Sequence, residues 1–385
     1  MRRQTCSLTI LIISIFAVPL RSAEPDKLIE TINAVDSEGK GNAEAAAAVR
    51  ELTKSGSDVL PNILEAFGGA NPLAMNWLRA AFETIAEREA RTGKSLPGQK
   101  FEKFVRDRKH NPRARSLAFE WLKRVDKTAH ARLVPGMIDD PSAELRREAV
   151  AFLIKRANFQ KDTNAERATA TFKKALIGAT DDDQVKAIVK PLKELGVEID
   201  LQRHFGLLTQ WQIIGPFNNR DFVGFDAIYP PEKTLDLKAT YQGQLGEVKW
   251  QPISTKDDYG IIDIGKSVKN YKGSCMYATT EFHSREAREI EFRLGTPNAW
   301  KMWVNGKMLF GRDEYHRGMS LDQYKVTGAV KAGKNSIVLK ICQNEQTDSW
   351  AQRYQFQIRV CDASGVAVLS SADDRTSQLT DKPAR

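Results

Sequence analysis

The spacing of apolar residues changes once along this chain, and the change limits the folds that it can adopt. From residue 25 to about residue 201, apolar residues recur at positions i, i+3, i+4 and i+7, which is the spacing of amphipathic helices. From Trp211 onward, short runs alternate apolar and polar residues at period two, which is typical of strands. The sequence therefore predicts a multidomain α + β fold, with a helical N-terminal half and a β-rich C-terminal half that meet near residues 201–211.

Four helix starts share a capping pattern. Asn71, Asn111 and Asp140 each precede a proline, and an acidic run begins at Asp181. Such side chains accept hydrogen bonds from first-turn N–H groups, and proline is tolerated at the first helical position. The starts are 40, 29 and 41 residues apart, a spacing expected for stacked helix pairs. The predicted helices are residues 43–52, 73–85, 114–125, 145–154 and 185–195.

One of these segments resembles the second-helix signature of HEAT repeats. Residues 139–150 read D-D-P-S-A-E-L-R-R-E-A-V, in which Asp-Pro opens the helix and Leu, Ala and Val pack inward, and residues 111–118 are a looser copy. The resemblance spans about residues 58–195 and implies a HEAT-like α-solenoid over residues 24–200 that docks a protein partner. A plain helical bundle is the alternative, because the 29-residue step departs from the usual period.

The N-terminus has the composition of an export signal. Arg2 and Arg3 precede an apolar run at residues 8–18, and Arg-Ser-Ala ends at residue 23. The run is shorter than the roughly 20 residues of a membrane-crossing helix. We expect a signal peptide at residues 1–23 and an exported mature protein, periplasmic, cell-surface or secreted, without a membrane span. Removal of three arginines lowers the net charge from +9 to +6. Cleavage after Ser22 or an uncleaved anchor are alternatives.

A basic stretch lies within the predicted helical half. Residues 100–132 contain 11 Lys and Arg against 4 Asp and Glu. Such an excess attracts anions, but no nucleic-acid motif accompanies it and export makes DNA or RNA an improbable target. We expect a solvated outer face of the helices and no nucleic-acid partner.

The strongest strand signal is K-M-W-V-N-G-K-M-L-F at residues 301–310. Asn305 and Gly306 both favour positive φ, so the pattern predicts a two-residue type I′ hairpin. Alternation assigns Ile290, Phe292 and Leu294 to one face of a neighbouring strand. The predicted strands are residues 275–283, 288–294, 299–304, 307–310, 323–326, 336–343, 354–362 and 366–370.

Three blocks precede these strands. They are W-x-x-x-G-P-F from Trp211, Y-P-P-E from Tyr229, and Y-x-G-x-x-G-x-V-x-W at residues 241–250. They resemble segments of exported bacterial proteins of uncertain role. We interpret residues 201–268 as a linker and entry strands of the β domain, with exposed loops between Asn218 and Lys238.

The order of the later motifs resembles the galactose-binding-like jelly roll. Leu-Gly-Thr at 294–296 precedes Lys-Met-Trp-Val-Asn-Gly-Lys at 301–307, and Val-Lys-Ala-Gly-Lys-Asn-Ser-Ile follows at 330–337. That sandwich recurs as an accessory domain of glycoside hydrolases and in carbohydrate-binding modules. The resemblance implies an antiparallel β-sandwich over residues 269–371 that binds carbohydrate, although Val330 replaces the usual leucine. A disordered polar tail at residues 372–385 follows.

Two loops of the predicted sandwich have the residue types of a sugar site, which are aromatic faces beside amides and charged groups. They are residues 310–318 and 343–353, and loops on a rigid sandwich are usual carriers of function. Trp303 is expected in the core because it lies within a hairpin strand. The candidate contacts are Trp300, Arg312, Tyr315, His316, Asn344, Gln346 and Trp350.

The cysteines and the absence of known catalytic motifs give few further constraints on the function. Cys342 and Cys361 lie in predicted strands and are a candidate disulfide with Cys275 free, although three buried thiols are an equal alternative. No P-loop, H-E-x-x-H, G-x-S-x-G or C-x-x-C-H motif is present. We expect no metal and no cofactor, since the sequence does not support a structural calcium.

The expected function is a non-catalytic binding or scaffold protein, with carbohydrate on the sandwich and a protein partner on the helices. A purely structural assembly protein is the first alternative. A glycoside hydrolase-related subunit is the second, because carboxylate pairs are set by separation in space rather than in sequence.

Overall fold

A computed structural model describes residues 25–371. The predicted leader at 1–23 and the predicted tail at 372–385 lie outside these residues. The chain divides into two compact units, one ending at Arg132 and the other beginning at Leu133. Between residues 25 and 371, no helix is long and apolar enough to cross a membrane.

Helices dominate the N-terminal half, as predicted, and each of the five predicted helices is present. Those of the first unit enclose a core in which the Phe82 ring lies 5.7 Å from Phe101 and 6.2 Å from Trp121. The helices before the first strand are α1 (Pro25–Asn33), α2 (Asn42–Leu52), α3 (Leu60–Ala66), α4 (Pro72–Arg91), α5 (Gly98–Arg106), α6 (Pro112–Val125), α7 (Ala129–Leu133), α8 (Ala143–Lys161), α9 (Ala165–Gly178), α10 (Asp182–Glu194) and α11 (Leu201–Phe205).

The predicted caps are confirmed at two of four helix starts. Asn71 accepts hydrogen bonds from the N–H groups of Leu73 and Ala74, and Asn111 caps α6 in the same way, each with proline at the first helical position. Asp140 does not cap α8. Its side chain accepts from the Ser142 N–H instead, and Ser142 caps the helix. Asp181 makes no cap hydrogen bond, because its carboxylate pairs with Arg147 on the neighbouring helix.

The basic stretch of the first unit is paired locally. Arg106 and Arg132 both bind Glu102, each at 2.8 Å, and the hydrogen bond from Arg132 is the first of the contacts that lower the pKa of Glu102 to about 2. The Arg124 guanidinium lies 4.0 Å from the centre of the Trp121 ring. These contacts fit the expected solvated face, on which each exposed pair stabilises by at most about 1 kcal/mol.

Antiparallel sheets dominate the C-terminal half, which confirms the predicted fold class. The strands are β1 (Gln210–Asn218), β2 (Thr240–Gly243), β3 (Gly246–Lys249), β4 (Gln251–Ser254), β5 (Ile262–Asp263), β6 (Ser274–Ser284), β7 (Arg288–Gly295), β8 (Ala299–Val304), β9 (Lys307–Arg312), β10 (Tyr324–Val330), β11 (Gly333–Gln343) and β12 (Gln355–Cys361). One sheet has the order β4-β1-β6-β11-β8-β9, another has the order β10-β7-β12-β5, and β2 and β3 form a separate hairpin.

The two larger sheets share one apolar core, so they form a β-sandwich. Ile290, Phe292 and Leu294 of β7 are buried in it, which confirms the predicted alternation. From the other sheet, β11 contributes Ile337, Leu339 and Ile341. Each strand thus gives alternate residues to the space between the sheets.

The predicted hairpin is confirmed between β8 and β9. Val304 pairs with Lys307, and the two turn residues have φ of 51° at Asn305 and 79° at Gly306, as a type I′ turn requires. The strand predicted at residues 366–370 is wrong. Only an isolated bridge between Cys361 and Ala367 forms there, although the chain turns back through Gly365 and the Val368 N–H donates to the Val360 carbonyl at 3.0 Å.

The first of the three blocks forms β1 itself, and the other two lie in residues 223–250, which cover the outer face of the six-stranded sheet. We call residues 223–250 the covering segment. A register shift between Ile214 and Phe217 in β1 places both side chains on that face, although they are three residues apart. Tyr229 stacks on Phe217 at 4.9 Å, and Trp250 packs into the same cluster. Two short helices lie in this covering segment, α12 (Val223–Asp226) and α13 (Pro230–Lys233). The central strands β1, β6, β11 and β8 are therefore buried on both faces, whereas the edge strand β9 is largely exposed.

Helices α8–α11 belong to the same compact unit as the sandwich. Arg146 of α8 donates to the Ser364 hydroxyl at 3.1 Å, and Tyr259 donates to Asp182 of α10 at 2.7 Å. The last of these helices ends at Phe205 and β1 begins at Gln210. The domain boundary near residues 201–211, as a division between separately folded domains, stays a prediction.

Candidate functional site

Four segments meet at one end of the six-stranded sheet. They are the loop after β1, residues 271–273 before β6, the loop after β9, and the loop after β11. The Asn219 N–H donates to the Gly273 carbonyl at 2.8 Å, and the Gly273 N–H donates to the Asn344 carbonyl at 2.9 Å. The loop after β9 joins them through His316, whose Nε2 lies 2.8 Å from the Asn344 Oδ1. We call this end of the sandwich the rim.

Four aromatic rings follow one another along the rim, and we call them the aromatic row: Phe222, Tyr315, His316 and Trp350. Phe222 meets Tyr315 edge to face at 5.2 Å, Tyr315 lies 6.3 Å from His316, and His316 meets Trp350 edge to face at 5.2 Å. The two ends of the row are open to solvent, with Phe222 54% and Trp350 61% exposed. Exposed rings flanked by polar loops are a typical surface for a ligand with both apolar and polar faces.

Asn219 holds the middle of the aromatic row in place. It is fully buried, and its Nδ2 donates to the Tyr315 hydroxyl and to the Gln343 carbonyl, both at 3.1 Å. Its Oδ1 has no hydrogen-bond partner among residues 25–371. Buried polar atoms in native proteins are rarely unpaired, so this oxygen is a buried acceptor next to the aromatic row that lacks a partner among the described residues.

Three non-glycine residues of the rim adopt the left-handed backbone conformation. Asp221 has φ of 55°, Phe222 of 62° and His316 of 56°. Such residues are uncommon outside glycine and cluster at ligand sites, where surrounding contacts hold them. Here the Asp221 N–H donates to the Glu345 carboxylate at 3.0 Å, which ties the strained turn after β1 to the loop after β11.

Hydrogen bonds from side-chain amides hold the loop after β11 in place. Asn298 donates to the Gln343 side chain at 3.1 Å, and Gln343 in turn donates to the carbonyls of Ala351 and Arg353 at 3.2 Å. Gln346 donates to Asp348 at 3.1 Å. These bonds fix the backbone on both sides of Trp350, so the position of its exposed ring is well defined.

Burial sets the acid–base behaviour of the rim. It raises the pKa of Tyr315 well above its usual range, with the buried cysteines nearby acting in the same direction. It likewise raises the pKa of Asp313. Tyr315 is therefore a neutral phenol at physiological pH. Its hydroxyl accepts the Asn219 bond and does not act as an anion.

The rim brings together most of the predicted contact residues. Tyr315, His316 and Trp350 lie in the aromatic row, Asn344 binds His316, and the Gln346 N–H donates to the Asn344 Oδ1 at 3.2 Å. Whether they bind a ligand stays a prediction. Trp303 is 8% exposed and packs under the covering segment, as expected of a core residue.

Two predicted contacts lie elsewhere. Trp300 is fully buried, because the alternation of β8 points it with Met302 into the space between the sheets, and it lies 5.2 Å from Tyr324 there. It cannot serve as a platform for a ligand. Arg312 ends β9 and lies over the Phe310 ring at 5.0 Å, outside the aromatic row.

The predicted Cys342–Cys361 pairing needs correction. Cys342 belongs to the six-stranded sheet and Cys361 to the four-stranded one, and packed sheets lie about 10 Å apart. The Cys361 Sγ contacts the Glu291 carbonyl at 3.8 Å. Cys342 instead stands opposite Cys275, with the two Sγ atoms 3.0 Å apart. All three are buried free thiols in this structure.

Sequence reasoning missed Asn219, Phe222 and Glu345. The first two follow the G-P-F block, in a region that the sequence marked only as exposed loop. The signal available was an aromatic and an amide within a polar turn, which many loops share. No group of three or more His, Cys, Asp or Glu that could hold a metal occurs within residues 25–371.

Gly224 lets the covering segment pass close to the rim, so we expect Gly224→Ala to destabilise the second unit by about 1–3 kcal/mol, as overpacking does. A Cβ there would lie 2.3 Å from the Asn218 carbonyl oxygen and 2.7 Å from the Cys275 Sγ. The carbonyl belongs to the backbone and cannot swing aside. Denaturant unfolding measures the loss. Gly136→Ala is the control, since nothing lies within 4 Å of its added methyl. Equal effects of the two variants would contradict the prediction.

Comparisons with known proteins give distant likenesses. No family model and no curated protein sequence matches the chain. A β-glucosidase from Kluyveromyces marxianus is 10% identical with a TM-score of 0.26 over 44% of this chain, which spans only 18% of that enzyme. A family 35 carbohydrate-binding module from an environmental isolate is 17% identical with a TM-score of 0.21, covering 30% of this chain and 86% of the module.

A third likeness is to the Pseudomonas fluorescens alkylpurine DNA glycosylase AlkC bound to DNA containing an abasic site analog. It is 10% identical with a TM-score of 0.21, covering 89% of this chain and 94% of that one. These likenesses are too weak to assign a function.

Proposed function

We propose that the rim binds carbohydrate and that the protein is an exported, non-catalytic binding or scaffold protein. The observation that carries the proposal is the aromatic row, which ends in two exposed rings and is bordered by ordered amides. A sugar presents C–H faces that pack on aromatic rings and hydroxyls that need fixed hydrogen-bond partners. The aromatic row and the amides beside it lie along one edge of the sandwich, which supports the proposal.

The strained backbone of the rim supports a binding role. Asp221, Phe222 and His316 hold conformations that cost about 1–3 kcal/mol each and persist only where other contacts fix them. A surface held in advance loses less conformational entropy when a ligand binds.

The polar groups of the row favour a neutral glycan over a strongly charged one. Acidic and basic side chains alternate around it, with Glu314 3.5 Å from Arg317 and Glu345 engaged by the Asp221 N–H. No single sign of charge dominates these contacts. Amides and the His316 ring therefore supply the directional bonds to hydroxyl groups.

The helical half is proposed to dock a protein partner, as a HEAT-like solenoid would. Its support is the sequence signature at residues 139–150, which falls on α8, and the shared Asn-Pro starts of α4 and α6. Helix pairs present extended faces to other proteins.

Two other functions would give different results. A purely structural assembly protein would co-purify with a stable partner and bind no glycan. A glycoside hydrolase-related subunit would require two carboxyl groups facing each other across a cleft, about 5–10 Å apart, and would release sugar from a substrate.

A glycan array of neutral and acidic oligosaccharides tests the binding proposal directly. We expect binding to a neutral glycan, and we expect Trp350→Ala or Tyr315→Ala to weaken it at least about tenfold, which corresponds to about 1.4 kcal/mol. Phe159→Ala is the matched control, because Phe159 is an aromatic residue 83% exposed on α8, outside the rim. Absence of binding to every glycan, or equal loss with the control, would reject the carbohydrate proposal.

A further inference from the structure

Cys275 and Cys342 form a pair that the proposed binding function does not use. They face each other in register on β6 and β11, with their Sγ atoms 3.0 Å apart. Both are fully buried. We infer that these two thiols are a disulfide-forming pair, oxidised as the protein folds in an oxidising compartment, and that Cys361 stays free.

Among the three cysteines of residues 25–371, strand geometry makes this pairing possible and the other two pairings impossible. Residues directly opposite in an antiparallel pair have Cα atoms about 4.5–5.5 Å apart, which lies within the disulfide range of about 4.4–6.8 Å. Cys361 is on the other sheet and its thiol points to the Glu291 carbonyl. Only Cys275 and Cys342 can be joined without moving a strand.

The surroundings of the pair show when the bond must form. Ile214, Phe217 and Trp303 pack around the two sulfur atoms in one apolar cluster, and Gly224 passes over Cys275. Burial raises the pKa of the Cys342 thiol well above its usual value, and only the thiolate attacks a disulfide. The exchange therefore takes place before the covering segment closes over β6 and β11.

The chemistry is a thiol–disulfide exchange with a small or protein disulfide as the oxidant. One cysteine thiolate attacks the external disulfide, forms a mixed disulfide and releases one thiolate. The second cysteine attacks the mixed disulfide and releases the other. Two protein thiols are oxidised, the external disulfide is reduced to two thiols, and the two cysteine protons pass to the departing thiolates.

The bond would lie at the base of the rim. Gly273 and Asn344, which hydrogen-bond across the rim, are each two residues from the paired cysteines. The bond would therefore fix the spacing of the two segments that carry the loops, whatever ligand the rim takes. The inference is independent of the carbohydrate proposal and rests only on the proposed export to an oxidising compartment.

Refolding of the full-length protein from denaturant in a buffer of reduced and oxidised glutathione tests the pair. Free thiols are then alkylated in denaturant and the protein is digested for peptide mass spectrometry. We expect a Cys275–Cys342 cross-linked peptide in most refolded molecules, with Cys361 recovered in its alkylated form. Near-ultraviolet circular dichroism confirms that the analysed molecules are folded.

Two variants distinguish the pair from random oxidation. Cys361→Ser should leave the cross-linked peptide unchanged in amount. Cys275→Ser should leave Cys342 alkylated, with no transfer of the link to Cys361. Alkylation of both Cys275 and Cys342 in folded protein, or a cross-link that includes Cys361, would overturn the inference.

Discussion

Replacing Lys340 with methionine is expected to lower the free energy of unfolding of the second unit by about 3–5 kcal/mol, the cost of leaving a buried charge without its partner. The Lys340 side chain is fully buried on the outer face of the six-stranded sheet. Its Nζ lies 2.8 Å from the Glu232 carboxylate and donates to the carbonyls of Phe225 and Ala227 at 3.0 and 2.7 Å. Methionine keeps the length of the side chain but removes all three bonds.

The loss is measured by denaturant unfolding followed by tryptophan fluorescence. Lys334→Met is the matched control, because Lys334 lies on the same strand, is 61% exposed and pairs with an exposed Glu281. We expect that control to change stability by less than about 1 kcal/mol. The double variant Lys340→Met with Glu232→Gln should recover part of the loss, since it removes the unpaired carboxylate. A loss below 1 kcal/mol in Lys340→Met alone would contradict the assignment.

This cluster gives a physical reason for the Y-P-P-E block. Glu232 ends that block, accepts from the Tyr277 hydroxyl and pairs with Lys340. Burial and the hydrogen bond to Glu232 both raise the pKa of Tyr277. Tyr277 and Lys340 of the sheet thus both donate to the Glu232 carboxylate of the covering segment. The Y-P-P-E block therefore has a structural role in attaching the covering segment to the sheet.

Local patterns predicted five of the helices and seven of the eight proposed strands, but they also placed a strand at residues 366–370 that does not form. The period-two alternation assigned Ile290, Phe292 and Leu294 to one face, and Asn305-Gly306 specified the turn, because both depend on neighbours in sequence. The covering of the outer face was not predictable in this way. It depends on a register shift at residues 214–217 and on side chains about a hundred residues away from β11.

In the candidate site, too, the local features were predictable and the long-range contacts were not. The two predicted loops do meet, and the reason is that β9 and β11 end on the same side of the sheet, which no local pattern encodes. Trp300 was misplaced because a tryptophan near a strand end can face either way, and the pairing of β8 with β11 decides the face. Asn219 and Phe222 enter from a loop that the sequence could not position.

The second large effect is expected at Asp322, where Asp322→Asn should destabilise the second unit by about 3–5 kcal/mol at neutral pH. Asp322 binds two buried arginines. Arg359 donates to it at 2.6 and 2.5 Å, and Arg293 donates at 2.7 Å. Arg359 and Arg293 are 1% and 7% exposed. Asparagine is chosen because Asp322 has φ of 61°, a conformation that asparagine tolerates, so the loss reports the charge and the hydrogen bonds of the carboxylate and not backbone strain.

The pH dependence of the stability loss in Asp322→Asn tests more directly whether the charge of Asp322 stabilises the fold. Burial pushes the pKa of Asp322 upward, but the hydrogen bonds and charges of Arg359 and Arg293 outweigh it, and the pKa is lowered in the folded protein. A carboxyl group with a lowered folded pKa adds stability that is fully present above its unfolded pKa of about 3.9 and is lost as the pH falls through the folded value. The stability difference between wild type and Asp322→Asn should therefore be constant from pH 5 to 7 and narrow below about pH 4.

Asp226→Asn is the control for charge removal, since the Asp226 side chain is 90% exposed and pairs with Lys301 at 3.2 Å. Its effect should stay below about 1 kcal/mol at every pH. Urea unfolding at intervals between pH 3 and 7 measures both variants. A difference between wild type and Asp322→Asn that stays unchanged down to pH 3 would show that the two arginines do not depend on the charge of Asp322. The link between β7, β12 and the turn before β10 would then rest on packing instead.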